Sequence, residues 1–147
     1  MTIVSGGQTG ADRAGLDFAI GQGIPHGGWC PKGRKAIDGA IPNRYELRET
    51  PSANYPQRTE WNARDSDATV IFTLSETLTG GSKLTAKFAD KHRKPWIHIH
   101  PGNVSELKPW LDRLEKDAVL NVAGSREPVQ GPSIYEFTIE ALLVAKA

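Results

Sequence analysis

The stretch ATVIFTL, residues 68–74, is a near-continuous apolar run with the length of one strand. A strand that is apolar on both sides needs cover on both faces, which is the situation of a central strand in a parallel sheet. The rest of the chain supplies the covering layers. Residues 2–5 read as a short buried strand. Ala14, Leu16, Phe18, Ala19 and Ile20 then mark one face of a helix over 11–22, which Gly21 and Gly23 end. Residues 24–30 form a second, irregular strand. The spacing predicts a helix over 56–67 with Pro56 in its first turn, and another over 82–92. Pro95 opens a strand at 96–100. A helix over 103–117 with Asn103 as N-cap, a strand at 118–124 and a helix over 132–146 complete the pattern. Strands alternating with helices imply right-handed crossovers. The expected fold is α/β: one domain, residues 1–147, built as a three-layer Rossmann-like sandwich around an open, mainly parallel sheet of about five strands.

Composition narrows the function. The formal charge of +1 gives no reason for a nonspecific grip on nucleic acid. No apolar run approaches the ~20 residues of a membrane helix, so no membrane partner is expected. Met1 leads directly into a strand pattern rather than a secretory signal. Cys30 is the single cysteine, so no intrachain disulfide forms, and a cytoplasmic location is expected.

In a parallel sheet the loops that follow the strands share one edge, where ligands bind. Three such loops pair glycine with hydroxyl residues. They are Ser5-Gly6-Gly7-Gln8-Thr9-Gly10, Thr79-Gly80-Gly81-Ser82 at a helix start, and Gly124-Ser125-Arg126 after the last strand. Glycine lets the backbone approach a ligand, and helix-start amides lack internal partners. Together with the helix dipole they make a phosphate site. The loops fit neither the P-loop nor the Gly-x-Gly-x-x-Gly fingerprint.

Other candidates surround these loops. Asp12 either bonds a ligand hydroxyl or favours its helix N-terminus electrostatically. Lys32 and Arg34 lie in the irregular segment 31–56, which reads as a lid or an assembly arm; they either close over a phosphate or stay solvated. Arg58, Trp61, Asn62 and Asp65 share a helix face, with Asn62 and Asp65 as ligand contacts and Trp61 as a core anchor. Glu60 and Asp65 are the candidate catalytic acids. His98 and His100 point to one side of a strand, but no further ligands complete a metal set. Cys30 as a nucleophile would need a histidine partner, with His26 the near one in sequence.

The segments IVSGGQTGADRAGLD, IPHGGWCPKGR, LRETPSANYPQRTEWNARDSDATVIF and LTGGSKLTAKFADKHRKPW together resemble the molybdenum carrier family, a branch of the SLOG superfamily that also holds the lonely-guy phosphoribohydrolases. The resemblance covers nearly the whole chain. It implies a Rossmann-like fold, a nucleotide or pterin-nucleotide ligand at the glycine loops, and self-association as a homodimer or homotetramer. Molybdenum cofactor or a nucleotide would be cargo rather than a resident cofactor. The lonely-guy enzymes carry a glutamate after their second glycine loop, where this chain has Ala86 or Lys87. That departure favours a ligand-binding protein over a nucleotide-processing hydrolase. In the hydrolase reading Glu60 or Asp65 would supply the acid.

Overall fold

The computed structural model describes residues 1–127 and 131–146. In chain order the elements are β1 (Thr2–Val4), α1 (Ala11–Gly21), β2 (His26–Gly27), β3 (Trp29–Cys30), β4 (Lys35–Ala36), β5 (Gly39–Ala40), β6 (Arg48–Glu49) and α2 (Tyr55–Arg64). Then come β7 (Ala68–Phe72), α3 (Gly80–Lys91), β8 (Trp96–Ile99), a 3-10 turn (Val104–Glu106), α4 (Leu107–Asp112), β9 (Val119–Gly124) and α5 (Ile134–Lys146).

β2, β1, β9, β7 and β8 lie side by side in that order and pair in parallel throughout. Every residue of β7 is buried, as its apolar run requires. Helices α1, α4 and α5 pack together on one side, and α2 and α3 on the other. The result is the expected three-layer α/β sandwich. Ile3, Val70, Phe72, Leu120 and Val122 of the sheet meet Phe18, Ile134 and Leu142 in the main core. Each such side chain contributes roughly 1.5–3 kcal/mol by leaving water.

The strand order has a consequence for the ligand edge. If β9 and α5 stood at the front of the chain, the order would read 3-2-1-4-5, that of a doubly wound dinucleotide fold. The last strand of this chain therefore fills the central position. Beside it, the connection after β9 runs to one face and the connection after β7 runs to the other. A crevice opens where they part.

Two expectations are corrected. Residues 103–117 do not form one helix: a 3-10 turn leads into the six-residue α4, which ends at Asp112. Asn103 does not cap it. Its side chain accepts from the His100 amide and donates to the His98 carbonyl, binding the end of β8 instead. The irregular 31–56 segment, read as a lid or an assembly arm, forms the β4–β5 hairpin and supplies β6, which pairs with β3, around a second small core of Leu16, Cys30, Ala36, Ile41 and Tyr45.

Candidate functional site

The β1–α1 joint was the first expected anion cradle, and four of its backbone amides are already engaged by the chain itself. The Gly7 amide donates to Ser5 Oγ, the Gln8 amide to Asp12 Oδ2, the Thr9 amide to Gln8 Oε1, and the Ala11 amide to the Ser125 carbonyl. An anion at this helix start is supplied by the chain itself, in the form of the Asp12 carboxylate. The glycines of the loop serve packing. A Cβ on Gly6 would lie 1.8 Å from Arg58 Nη1. One on Gly7 would lie 2.7 Å from Leu47, and one on Gly10, at φ +89°, would lie 2.5 Å from the Ser125 carbonyl oxygen.

The α3 joint is different. Thr79 precedes the helix in an extended conformation and its side chain makes no capping bond. The amides of Gly80, Gly81 and Ser82 have no partner among the described residues, and no acidic side chain sits in the first turn. A Cβ on Gly81 would meet nothing within 4 Å, so protein packing does not require glycine there. With its dipole, the start of this twelve-residue helix has the physical features that attract an anion.

These amides face a cavity of about 610 Å³ at the crevice beside β9. That is within the usual range for a small-molecule site, about 300–1,000 Å³. Its walls come from both sides of the switch point. Gly6, Gln8 and Asp12 follow β1; Asn121, Gly124, Ser125 and Arg126 belong to β9 and its loop; Tyr55, Arg58 and Asn62 come from α2.

Arg58 is the polar centre of that wall. It is 9% exposed, and its Nη1 donates to Asp12 Oδ2 at 3.0 Å. Its Nε is buried with no hydrogen-bond partner. An unsatisfied buried donor costs about 1–3 kcal/mol, and Arg58 also lines the cavity wall. Burial pushes the Asp12 carboxyl above its ordinary range, while Arg58 beside it pulls the other way. The Tyr55 ring lies 4.6 Å from Lys35 Nζ and 5.2 Å from the Arg58 guanidinium carbon. Arg126 is exposed at the mouth and makes no ion pair among the described residues.

The sheet order and the cavity beside β9 describe a permuted Rossmann-like domain with a crevice at its switch point. The model of the circularly permutated YpsA SLOG family matches residues 3–145. The chain belongs to that family. A solved structure with the same fold is that of a "putative molybdenum carrier protein" from Syntrophus aciditrophicus SB. It is 44% identical, with a TM-score of 0.90, over 99% of this chain and 94% of that one. No curated protein matches the chain. Permutation within this family accounts for a ligand edge centred on the last strand rather than the first.

The crevice gathers Gly6, Gln8, Asp12, Asn62, Thr79, Gly80, Gly81, Ser82, Gly124, Ser125 and Arg126 from the sequence candidates. Others lie elsewhere for identifiable reasons. Ser5, Gly7, Thr9 and Gly10 build the β1–α1 joint behind the wall. Arg34 donates to the carbonyls of Ile41, Pro42, Tyr45 and Leu47 and holds the 34–47 loop closed, so it does not close over a phosphate. Lys32 is exposed away from the cavity. Glu60 joins α2 to α3 through Lys91 and His92, whose hydrogen bonds hold its carboxyl below the usual range. Asp65 accepts from Arg64 and Trp29 Nε1, and the Arg64 bond likewise keeps its pKa low. Asn62 reaches the wall, but its amide is held by the backbone of Trp29 in both directions.

Cys30 is fully buried in the second core, which raises its thiol pKa and removes it from substrate. His26 accepts from the Glu46 amide. His98 pairs with Thr73 Oγ1 at 2.6 Å. Among the described residues, no group of three His, Cys, Asp or Glu side chains converges as a metal site. Arg58, Tyr55 and Asn121 line the cavity and were not among the candidate contacts read from the sequence. The sequence signal for Arg58 was present, since it shares a helix face with Asn62, but nothing in the spacing tells a buried arginine from a solvated one.

Proposed function

We propose that this protein binds a phosphate-bearing, nucleotide-like or pterin-nucleotide ligand and carries or senses it. The phosphate is held by the α3 amides of Gly80, Gly81 and Ser82, with Arg58 behind it and Arg126 at the mouth. The observation that carries this reading is the meeting of unpartnered helix-start amides with a half-satisfied buried arginine in one cavity. The carrier name of the 44% identical protein supports a molybdenum cofactor as cargo. Gln8 Nε2, Asn121 Oδ1 and the Tyr55 ring suit a heterocycle, whether base or pterin; Gln8 Oε1 already accepts from the Thr9 and Ile37 amides and Asn121 Nδ2 already donates to Thr69 Oγ1. The hydrolase reading loses support, because neither Glu60 nor Asp65 lines the cavity and Asp12 is its one carboxylate among the lining residues. Self-association and a cytoplasmic location belong to the same proposal; light scattering after size-exclusion chromatography tests the first.

The test is thermal unfolding and calorimetry with nucleoside monophosphates, NAD, ADP-ribose, molybdenum cofactor and molybdate, with released base measured in parallel. A ligand at a hundred times its Kd stabilises by about 2.7 kcal/mol. That is a rise of roughly 5–10 °C in Tm for a chain of this size. We expect such a rise without turnover, and its loss in Gly81→Asp, whose carboxylate would occupy the anion site. Absence of any shift, or full affinity in Gly81→Asp, overturns the proposal. Released base overturns the carrier reading in favour of the hydrolase.

A further inference from the structure

The crevice does not end at the phosphate position. Beyond the α3 joint lies a second cavity of about 320 Å³, lined by the loop after β7 and the start of α5. Thr79, Ser82, Ser125 and Arg126 line both cavities, so the two meet beside the start of α3, with Gly80 and Gly81 on the side of the first. The proposed phosphate site is thus a waist between two compartments rather than the closed end of one.

The compartments differ in chemistry. The first holds the Tyr55 ring, the Gln8 and Asn121 amides and the Asp12–Arg58 pair, groups that recognise the face and polar edge of a heterocycle. The second adds Thr73, Ser75 and Thr77 to the shared hydroxyls, with Leu74 and Ile134 as its apolar lining. Its described lining has no aromatic ring, no side-chain amide and no charge besides Arg126. Short hydroxyls that both donate and accept, set beside a small apolar lining, suit a neutral polyhydroxylated group. Thr73 is already used, donating to the Ser75 carbonyl, and Ser75 Oγ accepts from the Thr77 amide. That leaves Thr77, Thr79, Ser82 and Ser125 to meet the guest.

We infer that the ligand carries its phosphate in the middle: a nucleoside diphosphate, or the pterin equivalent, esterified on its outer phosphate to a sugar or similar polyol. This rests on the phosphate site proposed above and specifies what lies on its far side. A terminal monophosphate would fill the first compartment and leave the second to solvent. A pyrophosphate at the waist offers oxygens to the α3 amides and to Arg126 together, and directs its second substituent between Thr77 and Ile134.

The experiment compares matched pairs by calorimetry on the intact chain: ADP with ADP-glucose, UDP with UDP-glucose, and GDP with GDP-mannose. For the pair with the preferred base, the sugar ester should bind at least tenfold more tightly than the bare diphosphate. That ratio should fall to about one in Thr77→Trp, which fills the second compartment. Leu74→Trp, on the same exposed loop, is an independent block and should give the same collapse. A ratio near one in the unmodified protein, with the diphosphate still bound, overturns the two-compartment inference and leaves the phosphate site standing. A tenfold ratio that survives both tryptophan variants places the sugar elsewhere and also overturns it. Binding of none of these compounds, nor of any phosphate compound tested above, overturns the phosphate site and this inference together.

Discussion

Gly6→Ala should break an ion pair that Gly6 itself does not make. The new Cβ would stand 1.8 Å from Arg58 Nη1 and 2.8 Å from its Cζ. The guanidinium must move, and moving it separates Nη1 from Asp12 Oδ2, now 3.0 Å apart with both side chains about 10% exposed. Breaking a buried pair costs about 3–5 kcal/mol. We place this case near the low end, at roughly 3 kcal/mol, because the Gln8 amide still donates to the same carboxylate oxygen. At 2–4 °C per kcal/mol this is a loss of roughly 6–12 °C in Tm. The substitution has no backbone penalty, since Gly6 is not at positive φ. In an Arg58→Ala background the obstruction is gone, and Gly6→Ala should become neutral or slightly stabilising. The two substitutions should therefore couple by roughly 3 kcal/mol.

The pH dependence has a definite sign. Burial already raises the Asp12 carboxyl above its unfolded value, and losing Arg58 raises it further. For a carboxyl with a raised folded pKa, stability is greatest when it is protonated and falls as pH rises through the folded value. Both single variants should then lie further below the parent at pH 8 than at pH 5. Guanidinium unfolding of the four proteins at those pH values is the assay. Additivity within about 0.5 kcal/mol, or an equal deficit at both pH values, would refute the reasoning.

Tyr135→Phe removes one of two phenol donors to Asp17, the other being Tyr45, and should cost roughly 1–3 kcal/mol in denaturant melts while leaving ligand affinity unchanged. Burial, helped by the neighbouring His100, lowers the His98 pKa. Its share of stability is complete above the ordinary imidazole value and is lost as pH falls through the depressed folded one, so His98→Gln should flatten Tm against pH below about 6.5. Glu60→Gln and Asp65→Asn should leave the affinity for nucleoside phosphates within twofold of the parent; a large loss from either would return it to the site.

Much of this molecule was legible in local pattern. The apolar run at 68–72, the helix face over 11–21 and the glycines at 80 and 81 declare themselves within a few residues, because strand and helix periods are short-range properties. They determined the layered α/β class and the parallel strands, and with them the edge at which the loops after the strands gather. The α3 joint was readable in part, as a glycine pair that opens a helix without an acidic residue in its first turn. The β1–α1 joint looked alike in sequence and proved different. Whether its amides stay open depends on where the side chains of Ser5, Gln8 and Asp12 turn, and those rotamers are set by packing. The tertiary structure alone decided that the last strand fills the centre of the sheet, that Arg34 closes a loop, and that Arg58 meets Asp12 across 46 residues. A contact of that separation leaves no periodic trace, because it exists only after the crossovers have brought α2 over the end of β1.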